Sequence, residues 1–170
     1  MKIVGLLDED MVNYKKCSMY IAFPNCSFKC DKECGKDVCQ NSTLASSPIL
    51  EIGVAEICER YRANTLSHAI VLGGLEPFDS PYDLLSIIDC FRNFYKIDDD
   101  IVIYTGYTEE ELTLGDSLYS KVLKSLLENI MKYKNIIIKF GRYIPNDESH
   151  FDEILGVNLA SKNQYAKKVS

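Results

Sequence analysis

Three observations predict an α/β fold with a mainly parallel sheet. Short runs of β-preferring apolar residues recur along the 170-residue chain, at 19–23, 68–72, 101–104 and 135–140. Segments with apolar residues at helical spacing lie between them. The runs IVIY and IIIKF are apolar without alternation, as in strands covered on both faces. Alternation of this kind reads as successive βαβ units. The length predicts a single domain over 1–170, and an apolar fraction of 46% is enough for a real core.

The first strand is MYIAF, 19–23. The stretch CSFKCDKECGKDVCQN, 26–41, follows at once, which puts Cys26, Cys30, Cys34 and Cys39 in the loop after that strand. SSPILEIGVAEICERYRAN predicts a helix: Ser46 or Ser47 can cap it, Pro48 suits its first turn, and Leu50, Val54, Ile57 and Tyr61 recur at helical spacing. HAIVL, 68–72, reads as a buried strand ending at Gly73-Gly74. A second helix over 81–95 presents Leu84, Ile88, Phe91 and Tyr95 on one face, and strand 101–104 closes at Thr105-Gly106. TEEEL starts a helical turn, and 117–133 carries Leu118, Val122, Leu126 and Ile130 in steps of four. The strand 135–140 ends at Gly141, and beyond Pro145 the periodic signal fades. There is no internal repeat, low-complexity tract or linker.

Charge excludes some function classes. With 25 acidic and 19 basic residues the net charge is −6, and no basic stripe is present; Lys167-Lys168 is a short solvated pair. Nucleic-acid binding is therefore not expected. No run approaches the ~18 apolar residues of a membrane helix. The N-terminus MKIVGLLDEDMV turns acidic too early for a signal peptide, so a cytoplasmic location is expected. In that reducing setting seven cysteines, an odd number, point to metal or redox chemistry rather than disulfides.

In parallel α/β sheets, binding sites lie beyond the carboxyl ends of the strands. The cysteine loop, Gly73-Gly74, Thr105-Gly106 and the segment 139–141 all fall there. Four thiolates suit a closed zinc tetrahedron or an iron–sulfur cluster; three on a 4Fe–4S cluster leave one iron open. Other features have plainer readings. Cys17, Cys58 and Cys90 read as small apolar residues, and His68 and His150 are not at ligand spacing from the cysteines. Asp98 to Asp100 reads as a solvated turn, and Glu109 to Glu111 as charge favouring a helix start. Tyr107 fits a cofactor pocket, a partner surface or the core, and Lys139 ends a strand on the presumed active face, where it could meet a cofactor.

CSFKC followed by CQN resembles the Cys-x3-Cys…Cys loop of radical S-adenosylmethionine (SAM) enzymes, and Gly73-Gly74-Leu75-Glu76-Pro77 is similar to their Gly-Gly-Glu-Pro motif with Leu75 inserted. Within that superfamily the chain is most similar to the activating proteins of class III anaerobic ribonucleotide reductases. IVIYTGYTEEEL, IIIKFGRYI and ASKNQ resemble their strand-Thr-Gly-Tyr-Thr, Gly-Arg-Phe and Ser-x-Asn-Gln segments, so the resemblance runs from about Asp10 to Gln164. The usual loop has two residues between the second and third cysteine; here three residues separate Cys34 from Cys30 and eight separate Cys39 from it. Cys39-Gln40-Asn41 fits the polar-then-Asn pattern after the third cysteine and Cys34-Gly35-Lys36 does not. The resemblance therefore implies Cys26, Cys30 and Cys39 as ligands of a 4Fe–4S cluster in a loop spanning about 24–42, with Cys34 a loop thiol or alternative ligand.

It further implies a partial (β/α) barrel of the small radical SAM type. Gly73, Gly74, Glu76 and Pro77 would meet the methionine end of SAM and Thr105 its adenosine, with no catalytic side chain beyond the cluster. The implied activity is generation of a glycyl radical on a large partner, an anaerobic ribonucleotide reductase, with flavodoxin or ferredoxin as electron donor. Two alternatives stand beside it: a small-molecule radical SAM enzyme similar to 7-carboxy-7-deazaguanine synthase, and a non-catalytic zinc or iron–sulfur module using all four cysteines.

Overall fold

The computed structural model describes residues 1–170. A six-stranded sheet organises the chain: β2 (Gly5–Asp10), β3 (Ser18–Phe23), β5 (Ala69–Gly74), β6 (Asp100–Tyr104), β7 (Ile136–Phe140) and β10 (Tyr165–Lys168). Across the sheet they run β10-β7-β6-β5-β3-β2, the inner four parallel and both edge strands antiparallel. Two small antiparallel pairs are added by β1 (Lys2–Ile3) with β4 (Leu50–Glu51), and by β8 (His150–Asp152) with β9 (Val157–Leu159). The sheet is mixed, mostly parallel and open; it does not close into a barrel.

The four parallel strands are laid down in one direction, so right-handed crossovers place their helices on one face. Those helices are α2 (Val54–Ala63), α3 (Pro81–Asp89), α4 (Glu109–Thr113) and α5 (Leu118–Ile130). Strand residues Ile21, Phe23, Ile70, Leu72, Ile101, Ile103, Ile136 and Ile138 meet them in the main core. The alternate strand residues Ala69, Val71, Val102 and Ile137 form a second core with Tyr14, Leu155 and Leu159.

Two helices differ from expectation. Ser46, Ser47 and Pro48 do not open a helix: Ser42–Ser46 forms a 3-10 turn and α2 starts at Val54 after Gly53. Strand pairing takes the intervening residues, since Leu50 pairs with Ile3 and the Met1 ammonium donates to the Ile52 carbonyl at 2.9 Å. In α5 the buried side chains are Leu123, Leu126, Leu127 and Ile130, whereas Leu118 and Val122 are exposed. Steps of four residues exceed the 3.6-residue turn, so the series 118-122-126-130 drifts off the core face. The second helix widens into a π-turn over Cys90–Phe94. Asp100 begins β6 instead of a turn and accepts from Tyr14 Oη at 3.0 Å and from Lys16.

Candidate functional site

The end of β3 feeds the cysteine loop, which folds around a six-residue helix α1 (Lys29–Cys34). No residue of α1 is buried, so polar contacts hold the loop. Asp31 Oδ1 accepts from the amides of Val38 at 2.7 Å and Cys39 at 2.8 Å, which returns Cys39 to the neighbourhood of Cys30. The Phe28 amide donates to Cys26 Sγ at 3.2 Å. Cys26, Cys30 and Cys39 line one cavity of about 340 Å³; Cys34 ends α1, exposed, and is not among the lining residues. Burial first, then the carboxylates of Glu76 and Asp79, pushes the Cys26 thiol up to about 11, and burial followed by Cys39 and Asp31 pushes the Cys30 thiol up to about 12. Metal uptake there must therefore release protons.

The second wall comes from the end of β5. Gly74 sits at φ 87°, and a Cβ on it would fall 2.7 Å from Ala22 Cα and Phe23 N, so the position needs glycine. Asn41 Nδ2 donates to the Gly74 carbonyl at 2.7 Å and ties the cysteine loop to this turn. The Glu76 amide donates to the Asn25 carbonyl at 2.8 Å, extending the pairing of the two strand ends. Gly73 does not line the cavity; its missing side chain makes room for the Tyr20 ring, 3.1 Å from where a Cβ would be, and Tyr20 reaches the cavity instead. Pro77 is buried and opens a 3-10 turn, Pro77–Asp79, outside the cavity.

Glu76 lies between two strand ends. Its Oε1 accepts from Thr105 Oγ1 at 2.8 Å and the Phe78 amide at 3.1 Å, and its Oε2 from the Gly106 amide at 2.8 Å. Burial pushes this carboxyl up to about 7, against the pull of those three donors. Lys139, paired with Tyr104 across β6 and β7, is 6% exposed and lines the cavity; Nζ donates to the Gly141 carbonyl at 2.7 Å. Burial pulls its ammonium down to about 8. Gln164 Nε2 also donates to that carbonyl, and its Oε1 accepts from the Ala160 and Ser161 amides, so the C-terminal segment closes the far wall.

At the rim Arg142 Nη2 donates to both carboxylate oxygens of Glu111 while its Nε faces Glu33 of α1, and Lys29 pairs with Glu111 and lies 4.3 Å over the Tyr107 ring. The Thr108–Glu111 capping box holds the start of α4, so Glu111 serves the rim as well as its helix. Among the residues expected at the site, Cys26, Cys30, Cys39, Gly74, Glu76 and Thr105 therefore meet in one cavity, with Gly73 and Pro77 behind it. Tyr20, Tyr104 and Arg142 also line it, and sequence reading missed them. The available signal was an isolated tyrosine at a position facing away from the helices in each of two aliphatic strands.

Three thiols on one wall, with no histidine, are a soft donor set that suits iron–sulfur ligation. No three His, Cys, Asp or Glu side chains gather closely enough to hold a single metal ion. No helix is long and apolar enough to cross a membrane. No curated protein and no solved structure matches the chain. Residues 15–157 match the family described as a 4Fe-4S single cluster domain, which spans the cysteine loop and the cavity-bearing strand ends. The chain belongs to that family and is a 4Fe–4S cluster-binding domain.

Proposed function

We propose that the chain is a radical SAM enzyme that generates a glycyl radical on a large partner, an anaerobic ribonucleotide reductase, with flavodoxin or ferredoxin as reductant. The observation that carries this reading is the bond from Asn41 to the Gly74 carbonyl, which joins a three-thiol loop to a glycine turn on one cavity. The open sheet with helices on one face is read as the partial (β/α) barrel of small radical SAM proteins. When bound, the cluster would supply the electron that cleaves SAM to methionine and a 5′-deoxyadenosyl radical.

The residues around it bind and orient. The close approach of backbone at Gly74 admits the methionine end beside the cysteines. Glu76 uses three of its roughly four acceptor sites on Phe78, Thr105 and Gly106; the remaining one suits an ammonium donor. Thr105 is held by Glu76 at the next strand end, where the adenosine would lie. Lys139 has one protein acceptor, so its other N–H groups can meet oxygen atoms of the ligand. The walls supplied by Tyr20, Tyr104 and the C-terminal segment limit water at the reacting centre.

Anaerobic reconstitution followed by reduction with SAM tests the reading. Methionine and 5′-deoxyadenosine are expected in equal amounts, with a glycyl radical signal when an anaerobic ribonucleotide reductase is added. Absence of both products would overturn radical SAM chemistry. Both products without a partner radical would favour a small-molecule enzyme similar to 7-carboxy-7-deazaguanine synthase. A colourless zinc protein using four cysteines would favour the binding module.

A further inference from the structure

A carboxylate outside the cavity reaches the cysteine loop. Asp79 ends the 3-10 turn Pro77–Asp79, and its Oδ2 accepts from the Ser27 amide, the residue after Cys26, at 2.6 Å. Its Oδ1 accepts from the hydroxyls of both Tyr107 and Tyr119, each at 2.6 Å, with the two phenol oxygens 3.1 Å apart. Tyr107 is buried, whereas Tyr119, in the first turn of α5, is 48% exposed. Asp79 does not line the cavity, so ligand contact is not its role there. Tethering the loop needs only Oδ2. Tyr107 also meets the loop through Lys29 over its ring, whereas Tyr119 bonds only Asp79 and Tyr107; both phenols disperse the charge of a carboxylate beside Cys26.

We propose that Asp79 is a positioning residue that sets the reduction potential of the cluster held by Cys26, and that Tyr119 is its handle at the protein surface. This rests on Cys26 as a cluster ligand and not on SAM chemistry. One-electron reduction makes the cluster more negative, so a fixed carboxylate nearby opposes it. Net charge and hydrogen bonding near the sulfurs are recognised determinants of such potentials. Each phenol O–H draws charge off Asp79 and favours reduction. Loss of the Tyr119 bond leaves Oδ1 with the Tyr107 hydroxyl alone and lowers the potential.

The test is a dithionite titration of the cluster-loaded protein, followed by electron paramagnetic resonance, without SAM. Asp79→Asn is expected to move the potential upward and Tyr119→Phe to move it downward, with iron and sulfide content kept in Tyr119→Phe. A loop anchor alone would not give shifts of opposite sign. Should Asp79→Asn lose iron, the downward shift in Tyr119→Phe carries the test. A wild-type or raised potential in Tyr119→Phe overturns the proposal. Because SAM is absent, that failure is separate from failure of the radical reading.

Discussion

Gly73 and Gly74 are neighbours with different work. At Gly74 the left-handed φ and the backbone of Ala22 and Phe23 both exclude a side chain. Gly74→Ala is expected to cost about 1–3 kcal/mol in denaturant unfolding, and to lower iron retention because the backbone must shift and carry the carbonyl away from Asn41 Nδ2. At Gly73 an added methyl would press only on the Tyr20 ring, a side chain that can move. Gly73→Ala should therefore keep iron and cost less. The cysteines divide in the same way. Cys34→Ser is expected to retain the cluster absorbance and Cys39→Ser to lose it; a cluster intact in Cys39→Ser would make Cys34 the third ligand.

The element most exposed to perturbation is α1, which buries no side chain and is held by Asp31, the Asp79–Ser27 bond and the Arg142–Glu111–Lys29 rim. Arg142→Met should speed iron loss to a chelator by several-fold while the global melting temperature stays nearly unchanged. High salt should do the same to the wild type, since partly exposed pairs are screened. Strands β3, β5, β6 and β7 were legible in the sequence because their apolar runs are buried on both faces. The edge elements were not. In β2, GLLDED mixes acids with apolar residues and owes its pairing to β3; β1, β4, β8 and β9 have two or three residues each, too few to show a period. At the site, the rule that ligands gather at carboxyl strand ends brought together Cys26, Gly74, Glu76, Thr105 and Lys139. Arg142 escaped because its partner Glu111 lies 31 residues away, a pairing that local pattern does not encode.

For the molecule as a whole, Glu76 and Lys139 are opposite charges buried beside one cavity without touching, and each is costly when ionised. Folded Glu76 keeps its proton to about 7 rather than 4.5, so its contribution to stability is full below pH 4.5 and lost as pH rises through 7. Lys139 has the opposite sign of dependence. Its folded value near 8 lies below the usual 10.5, so the unfolded chain binds more protons between those values and stability rises with pH across that window. The protein is therefore expected to be least stable between about pH 7 and 8, where both groups are charged. At 1.36 kcal/mol per unit, each contributes roughly 3 kcal/mol to that dip. Lys139→Met keeps the length of the side chain and removes its charge. Urea unfolding should show the variant roughly 2–3 kcal/mol more stable than wild type at pH 7.5, with the gain shrinking toward pH 10 as the folded wild-type lysine gives up its proton. A variant less stable than wild type at both pH values would mean that the bond to the Gly141 carbonyl outweighs the buried charge. The expected result would identify Lys139 as a cation kept at a cost to stability, recovered when a bound ligand gives it an acceptor oxygen.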